Sequence, residues 1–269
     1  MWERTCARWV LAPYAIEPVY RAQARSHNGY GGMKAWLPLV VLLGLIVALP
    51  YAGPLFHAWL PELSHPVYWR TSFAELTLAH AALVAVATLI AVVVGLLLGI
   101  LATRPAGRSL LPTVRAVAVI GQTFPPVAVL AIAVPLLGFG AAPTLLALTL
   151  YGVLPVLGQT VAGLDQVPSS ALHAADGMGY GRWRRLWEVE LPLAAGPIMA
   201  GIRLSAIVSV GTATIGSAVG AATLGAPIVE GLVGNNTAYV VQGALLVGAL
   251  ALSVDGLLGV VERRIRRHA

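Results

Sequence analysis

Leu76–Ala102 reads LTLAHAALVAVATLIAVVVGLLLGILA and contains no Asp, Glu, Lys or Arg. A helix of that length, rising ~1.5 Å per residue, crosses the ~30 Å hydrocarbon layer with residues to spare. The run is continuously apolar and lacks the alternation of a membrane barrel strand, so it reads as helix. Further charge-poor runs lie near Ala35–Tyr51, Val117–Leu137, Ala142–Leu164, Leu193–Val219 and Ala238–Val261. The expected fold class is an all-α integral membrane protein with about six transmembrane helices.

Composition agrees. Of 269 residues 58% are hydrophobic and 10% charged, with a mean hydropathy of +0.82. A soluble domain carries about 25% charged residues and cannot hide this much apolar surface in one core. The pI of 9.9 raises nucleic acid as a partner, and the placement of charge decides against it. With a cytoplasmic amino terminus and alternating spans, 16 of the 17 Lys and Arg residues fall on one side, Arg70 being the exception. That is the positive-inside bias, and it places both termini in the cytoplasm. Cys6 is the sole cysteine, and the six histidines show no ligand spacing, so neither an internal disulfide nor a metal site is expected. Each histidine reads as a surface or interfacial residue.

Three segments follow. Residues 1–34 are mixed and polar, and Met33-Lys34 before an apolar run has the form of a translation start. They are expected to be a cytoplasmic arm or a product of start-site choice. Residues 35–262 form the transmembrane domain, and 263–269 a basic cytoplasmic tail. In the first outer loop Trp59, Tyr68 and Trp69 read as an aromatic belt at headgroup level.

Some features break the apolar pattern. Gly121-Gln122-Thr123-Phe124-Pro125-Pro126 opens the third span with two missing donors and two polar side chains, so it should face protein or water. Gln122, Thr123, Gln159 and Thr212 are candidates for lining a path. Ser205, Ser209, Thr212, Thr214 and Ser217, among glycines, suit either a packing seam or a path. Arg203 and Asp255 are the ionisable residues set furthest into spans. Intramembrane charges are costly and usually paired, so an Arg203–Asp255 ion pair is expected; an Arg203 that snorkels to the inner headgroups is the other reading.

The longest interior loop, 164–192, is the informative one. Pro168-Ser169-Ser170 is a good helix start, with serine able to cap, and Gly177, Gly179 and Gly181 should end the short helix. An amphipathic piece from Arg182 to Glu190 follows, stopped by Leu191-Pro192. An exposed short helix with small residues suits docking into a groove on another protein.

His173-Ala174-Ala175, then Gly179, then Val189-Glu190-Leu191-Pro192 resembles the EAA loop of bacterial ABC importer permeases of the binding-protein-dependent, methionine-permease-like family. That pattern reads Glu-Ala-Ala, three residues, Gly, nine residues, Ile-x-Leu-Pro. Thr123–Pro126, Pro135–Gly140, Leu150–Pro155, Gly177–Gly179, Gly201–Arg203 and Gly211–Ile215 are similar to the osmoprotectant branch, which carries glycine betaine, choline and carnitine. Two departures stand out. The family's Glu is His173, for which Asp176 is a substitute one turn on, and the usual Gly-Ala-Gly-Gly-Leu-Gly reads Gly220-Ala221-Ala222-Thr223-Leu224-Gly225.

The resemblance implies a permease in the bacterial cytoplasmic (inner) membrane. Its partners would be ABC ATPase subunits, a second permease chain (a copy or a relative), an extracytoplasmic solute-binding protein and membrane lipid. His173, Ala174, Ala175, Asp176, Gly177, Gly179, Arg182, Leu191 and Pro192 would form the ATPase-coupling loop. Lys34, the single lysine, is followed by Ala35, so no Gly-x-x-x-x-Gly-Lys-Ser/Thr phosphate loop exists in this chain. ATP and Mg are therefore expected on the partner ATPase, no cofactor is expected here, and the chain is not expected to be an enzyme. An ion-coupled secondary transporter is the main alternative; it calls for inverted repeats and mid-membrane acids, and Asp255 lies near the inner end of its span. An ABC importer permease for another small solute is the other.

Overall fold

The computed structural model describes residues 33–105 and 107–268. Most of the expected amino-terminal arm and Cys6 lie outside that range. Among the described residues the chain is helical, with no strand. Helix α1 (Met33–Ala48) passes through a 3-10 turn, Leu49–Tyr51, into α2 (Gly53–Trp59), with a 74° bend between the two arms. α3 (Phe73–Thr103) starts where the Ser72 hydroxyl accepts the Glu75 amide at 3.1 Å. A turn at Arg108–Leu110 leads to α4 (Leu111–Thr123), followed by α5 (Pro126–Leu137) and α6 (Ala141–Asp165). The 164–192 loop, expected on the interior side, holds α7 (Ser169–Gly177) and α8 (Arg182–Arg185). A π turn, Leu186–Glu190, runs on into α9 (Leu191–Ala213), which tightens to 3-10 over Thr214–Val219. α10 (Gly225–Val233) and α11 (Thr237–His268) complete the chain.

Among the described residues four helical stretches are long and apolar enough to cross a membrane, Phe73–Thr103, Ala141–Asp165, Arg182–Val219 and Thr237–Ile265, and the bent α1–α2 pair makes a fifth. The run expected as one third span, Val117–Leu137, is two helices. Pro125 is extended at the break, since two successive prolines offer no amide to carry a helical ladder through. The Tyr151 hydroxyl donates to the freed Phe124 carbonyl.

α6 is the centre, packed by α3, α9, α5 and α4, while α11 lies against α1, α10 and α9. Glycines bring the backbones together. A Cβ on Gly95 would sit 2.8 Å from Val156, and one on Gly99 2.7 Å from Thr160. Gly95 and Gly99 are a small-x-x-x-small pair on α3, a feature of membrane helix contacts driven by dispersion rather than by a hydrophobic effect. Gly152 closes the α6–α9 seam, facing Ser205 and Ser209, whose buried hydroxyls have no hydrogen-bond partner. Those two serines serve the seam. Away from the contacts α3 shows large apolar side chains outward, Leu78 at 73% and Leu89 at 66% exposure, as a lipid-facing surface should.

Two expectations change, one in the α2–α3 loop and one on α3. Tyr68 is no belt residue: it is 6% exposed and stands edge-on to Tyr239, with ring centroids 5.4 Å apart. Trp59 and Trp69 do stay exposed. His80, expected near the surface, is fully buried. Its Nδ1 accepts the Leu224 amide at 3.1 Å, so the proton sits on Nε2 and is donated to the Val210 carbonyl at 3.1 Å. It bolts α3 to α9 and to the start of α10, which is why a polar ring is tolerated there.

Candidate functional site: the interior loop

α7 begins after Pro168, whose extended backbone (φ −60°, ψ 133°) makes it the N-cap. The serines supply no side-chain cap, contrary to expectation, because proline already occupies the position from which a hydroxyl would fold back. The other end closes through a Schellman pattern: Gly179 N–H donates to the Asp176 carbonyl and Tyr180 N–H to the Ala175 carbonyl, both at 3.0 Å. Gly179 holds φ +77°, where a side chain would be strained. Of the three glycines in the loop only this one needs the left-handed region; Gly177 is the last helical residue and Gly181 precedes α8 at φ −67°.

His173, Ala174, Asp176, Gly177, Gly179 and Arg182 are exposed, and a Cβ at Gly177 or Gly179 would meet nothing within 4 Å. Ala175 turns the other way, 1% exposed. Leu186, 3% exposed, packs with Leu164, Ala194 and Ile198 and seats the loop on α6 and α9. The loop thus presents one open face and anchors the opposite one.

Leu191-Pro192 does not stop the chain. Leu191 N–H reaches back five residues to the Leu186 carbonyl, and this wider π turn takes the proline without a break in the helix. Both residues are half-buried. The widened turn points Glu190 inward at 6% exposure. Its Oε2 accepts Arg104 Nη2 at 2.5 Å, and its Oε1 accepts Arg104 Nη1 at 3.3 Å and Arg185 Nε at 3.1 Å. Arg185 Nη1 in turn donates to both Asp176 oxygens, at 2.7 and 2.9 Å. The carboxylate nearest to the expected Glu position is therefore already engaged inside the loop. Arg184 pairs with Glu188 at 3.0 Å and lies 4.2 Å over the Tyr180 ring.

Deeper in the bundle, Arg203 Nε and Nη2 donate to Asp255 at 3.0 and 2.6 Å, and Nη1 to Glu262 at 2.9 Å. Glu262 as a third member escaped the sequence reading, since it stands seven residues, two helical turns, beyond Asp255 on α11.

The path candidates sit on three helices, Gln122 and Thr123 on α4, Gln159 on α6 and Thr212 on α9. Thr123 is exposed and bonds its hydroxyl back to Ile120, Gln159 packs against Gly201 of α9, and Thr212 is half-buried. The side chain of Gln122 lies outside the described residues. A cavity of about 240 Å³ beside the α4–α5 break is lined by Val117, Ile120, Phe124, Leu150, Tyr151 and Leu154, among others, and is apolar.

A pocket of about 540 Å³ lies between the α2–α3 loop and α10, bordered by Glu62, Trp69, Arg70, Glu230 and Tyr239. Arg70 pairs with Glu230 at 2.8 Å, and Tyr68 donates to it at 3.2 Å. Burial first, and then the Glu230 carboxylate, push the Tyr68 phenol above its ordinary range. At the altered glycine run neither Ala222 nor Thr223 takes a positive φ. Thr223 Oγ1 accepts the Gly225 amide at 3.1 Å and meets Ser217 Oγ at 2.6 Å, so the substitution ties α10 to the end of α9.

An apolar helical bundle seamed by glycine, with a loop anchored on one face and open on the other, has the build of a membrane translocation subunit. Its fold matches that of the MetNI methionine ABC transporter in an inward-facing crystal form, with a TM-score of 0.65 and 22% identity, over 71% of this chain and 95% of that one. An amino acid ABC transporter crystallised with histidines matches at a TM-score of 0.58 and 20% identity, over 71% and 92%. These likenesses concern the fold. Residues 95–267 match the family described as binding-protein-dependent transport system inner membrane component, and the chain belongs to it.

Curated relatives are similar over most of their own length. The osmoprotectant import permease protein OsmY of Salmonella typhimurium (strain LT2) is 38% identical over 189 residues, 70% of this chain and 80% of that protein. The choline transport system permease protein OpuBB of Bacillus subtilis (strain 168) is 38% identical over 201 residues, 74% and 92%. The glycine betaine/carnitine/choline transport system permease protein OpuCB of the same strain is 40% identical over 178 residues, 64% and 82%. These relatives are transport permeases rather than enzymes.

Proposed function

We propose that this chain is the permease subunit of an ABC importer that moves glycine betaine, choline or a related quaternary amine into the cell by alternating access. The observation that carries the reading is the short helix α7, ended by Gly179 at φ +77°, with His173, Ala174, Asp176 and Gly177 exposed and open space beside Gly177 and Gly179. That shape suits insertion into a groove on an ATPase subunit, which would hold ATP and Mg. The names of the relatives support the solute class.

In this reading two permease chains, identical or related, pair in the membrane, and an extracytoplasmic binding protein delivers the solute. α4 and α5 together make one crossing, which brings the count to six and puts both termini in the cytoplasm. The charge distribution supports that topology, with 16 of 17 Lys and Arg residues on the inner side. Thr123, exposed, and Thr212, half-buried, would line a path shared with the second chain. Closure of the ATPases on ATP would draw the two loops together and turn the cavity outward, and hydrolysis would reset it.

The test is uptake of labelled choline and glycine betaine into proteoliposomes holding the chain with its ATPase and binding protein. ATP-dependent accumulation of either solute is the expected result. Accumulation by the chain alone, driven by an ion gradient, would overturn the reading.

A further inference from the structure

The exposed face of the interior loop explains how it could be gripped, and its buried side concerns where the pull goes. Covalently, the loop connects α6 to α9. A second route runs through side chains to α3, which is neither neighbour in sequence: Asp176 on α7, Arg185 on α8, Glu190 in the π turn and Arg104 at the end of α3 form one line of alternating charges. Arg104 is itself held on α3, its Nε donating to the Ile100 carbonyl at 3.4 Å and its Nη2 to Thr103 at 3.3 Å. Glu190 is the one carboxylate of the line that is buried, and it takes three donors from two elements. A buried carboxylate gripped by two guanidiniums resists partial opening, because either group left alone would be a desolvated, unpaired charge. The π turn is what points it inward, and such turns are often found at functional positions.

We propose that Glu190 is a positioning residue that clamps the interior loop to the inner end of α3, so that a displacement of α7 is carried to α3 as well as to α6 and α9. This rests on the reading of the loop as the ATPase contact. α3 then transmits the movement to the centre of the bundle through its glycine seam with α6, where a Cβ at Gly95 or Gly99 would have no room. Among the described residues no hydrogen bond or ion pair joins Arg104 directly to Asp176, and the side-chain route between them runs through Arg185 and Glu190.

The experiment is a double-mutant cycle on solute moved per ATP hydrolysed, in the reconstituted complex. Arg104→Gln and Asp176→Asn are made singly and together, first with native Glu190 and then with Glu190→Gln. Each single change is expected to lower the ratio by roughly 2- to 30-fold, the span found for coupling positions. The double change should cost far less than the product of the two, and in the Glu190→Gln background the effects should become independent. Effects that multiply to within about two-fold with native Glu190 overturn the clamp, since that is how sites without shared partners behave. If Arg104→Gln fails to assemble with the ATPase, Arg104→Lys takes its place, keeping a cation at Glu190 while losing the two-nitrogen grip; the same non-additivity, smaller, is then required. A native complex that moves no solute with ATP would instead sink the importer reading, so the two failures are told apart.

Discussion

Gly99→Val tests whether the α3–α6 seam is set by backbone approach. A Cβ at this position would lie 2.7 Å from both Cβ and Cγ2 of Thr160, against 3.4–4 Å for ordinary contact, so the helices must part by 0.7–1.3 Å. Thr160 cannot swing aside, because it is fully buried and its hydroxyl is committed to the Val156 carbonyl at 2.7 Å. Forcing methyl groups into a packed contact costs about 1–3 kcal/mol. The change also alters helix propensity, a term that Gly248→Val removes, since Gly248 lies inside α11 with nothing within 4 Å of its added Cβ. The difference between the two variants therefore isolates the clash. At ~2–4 °C per kcal/mol for a chain of this size, Gly99→Val should melt ~2–12 °C below Gly248→Val. The assay is thermal unfolding of the purified chain in detergent, followed by the loss of the monodisperse species. Equal melting of the two variants would refute the close-approach account of the bundle.

Gly179→Leu places a side chain at φ +77°, a strain of about 1–2 kcal/mol, and Gly179→Asn should be milder because Asn tolerates that region. Membrane insertion should be unchanged while uptake per ATP falls; uptake at the native rate in the leucine variant would show that the loop does not dock as described. Arg203→Ala takes the guanidinium from both Asp255 and Glu262, whereas Asp255→Ala leaves Arg203 with Glu262, so the first should lower thermal stability more than the second. The reverse order in a melting experiment would contradict the three-member cluster. Gln242→Leu removes the partners of the Tyr68 amide (3.0 Å) and the Pro66 carbonyl (2.6 Å) at a fully buried site. Each orphaned group costs ~1–3 kcal/mol, and limited proteolysis should then cut the first outer loop faster; an unchanged digestion rate would deny Gln242 that role.

Several features were legible because they depend on composition or on local chain chemistry. A membrane-length apolar run announces itself, as Leu76–Ala102 does within α3, Phe73–Thr103. The run of prolines at 125 and 126 marked the place where the structure breaks one expected span into two. The spacing from Ala175 to Gly179 to Pro192 located the interior loop, since a helix end requires its glycine at one position only.

What escaped was whatever depends on partners far apart in the chain. Glu190 read as the end of an amphipathic piece, and only packing shows it buried between Arg104 and Arg185. His80 read as a stray polar residue until Leu224 and Val210 met its two nitrogens.

By itself, then, the order of residues determined that this chain is built of membrane-length apolar helices and where its glycine-ended loop falls. Hydropathy, charge bias and positive φ are properties of short stretches, so they survive without a fold. Which helices touch, which serines merely pack, and which carboxylate holds two arginines at once were decided only in three dimensions. Those outcomes turn on distances of a few ångströms between residues tens of positions apart, and no local pattern encodes them.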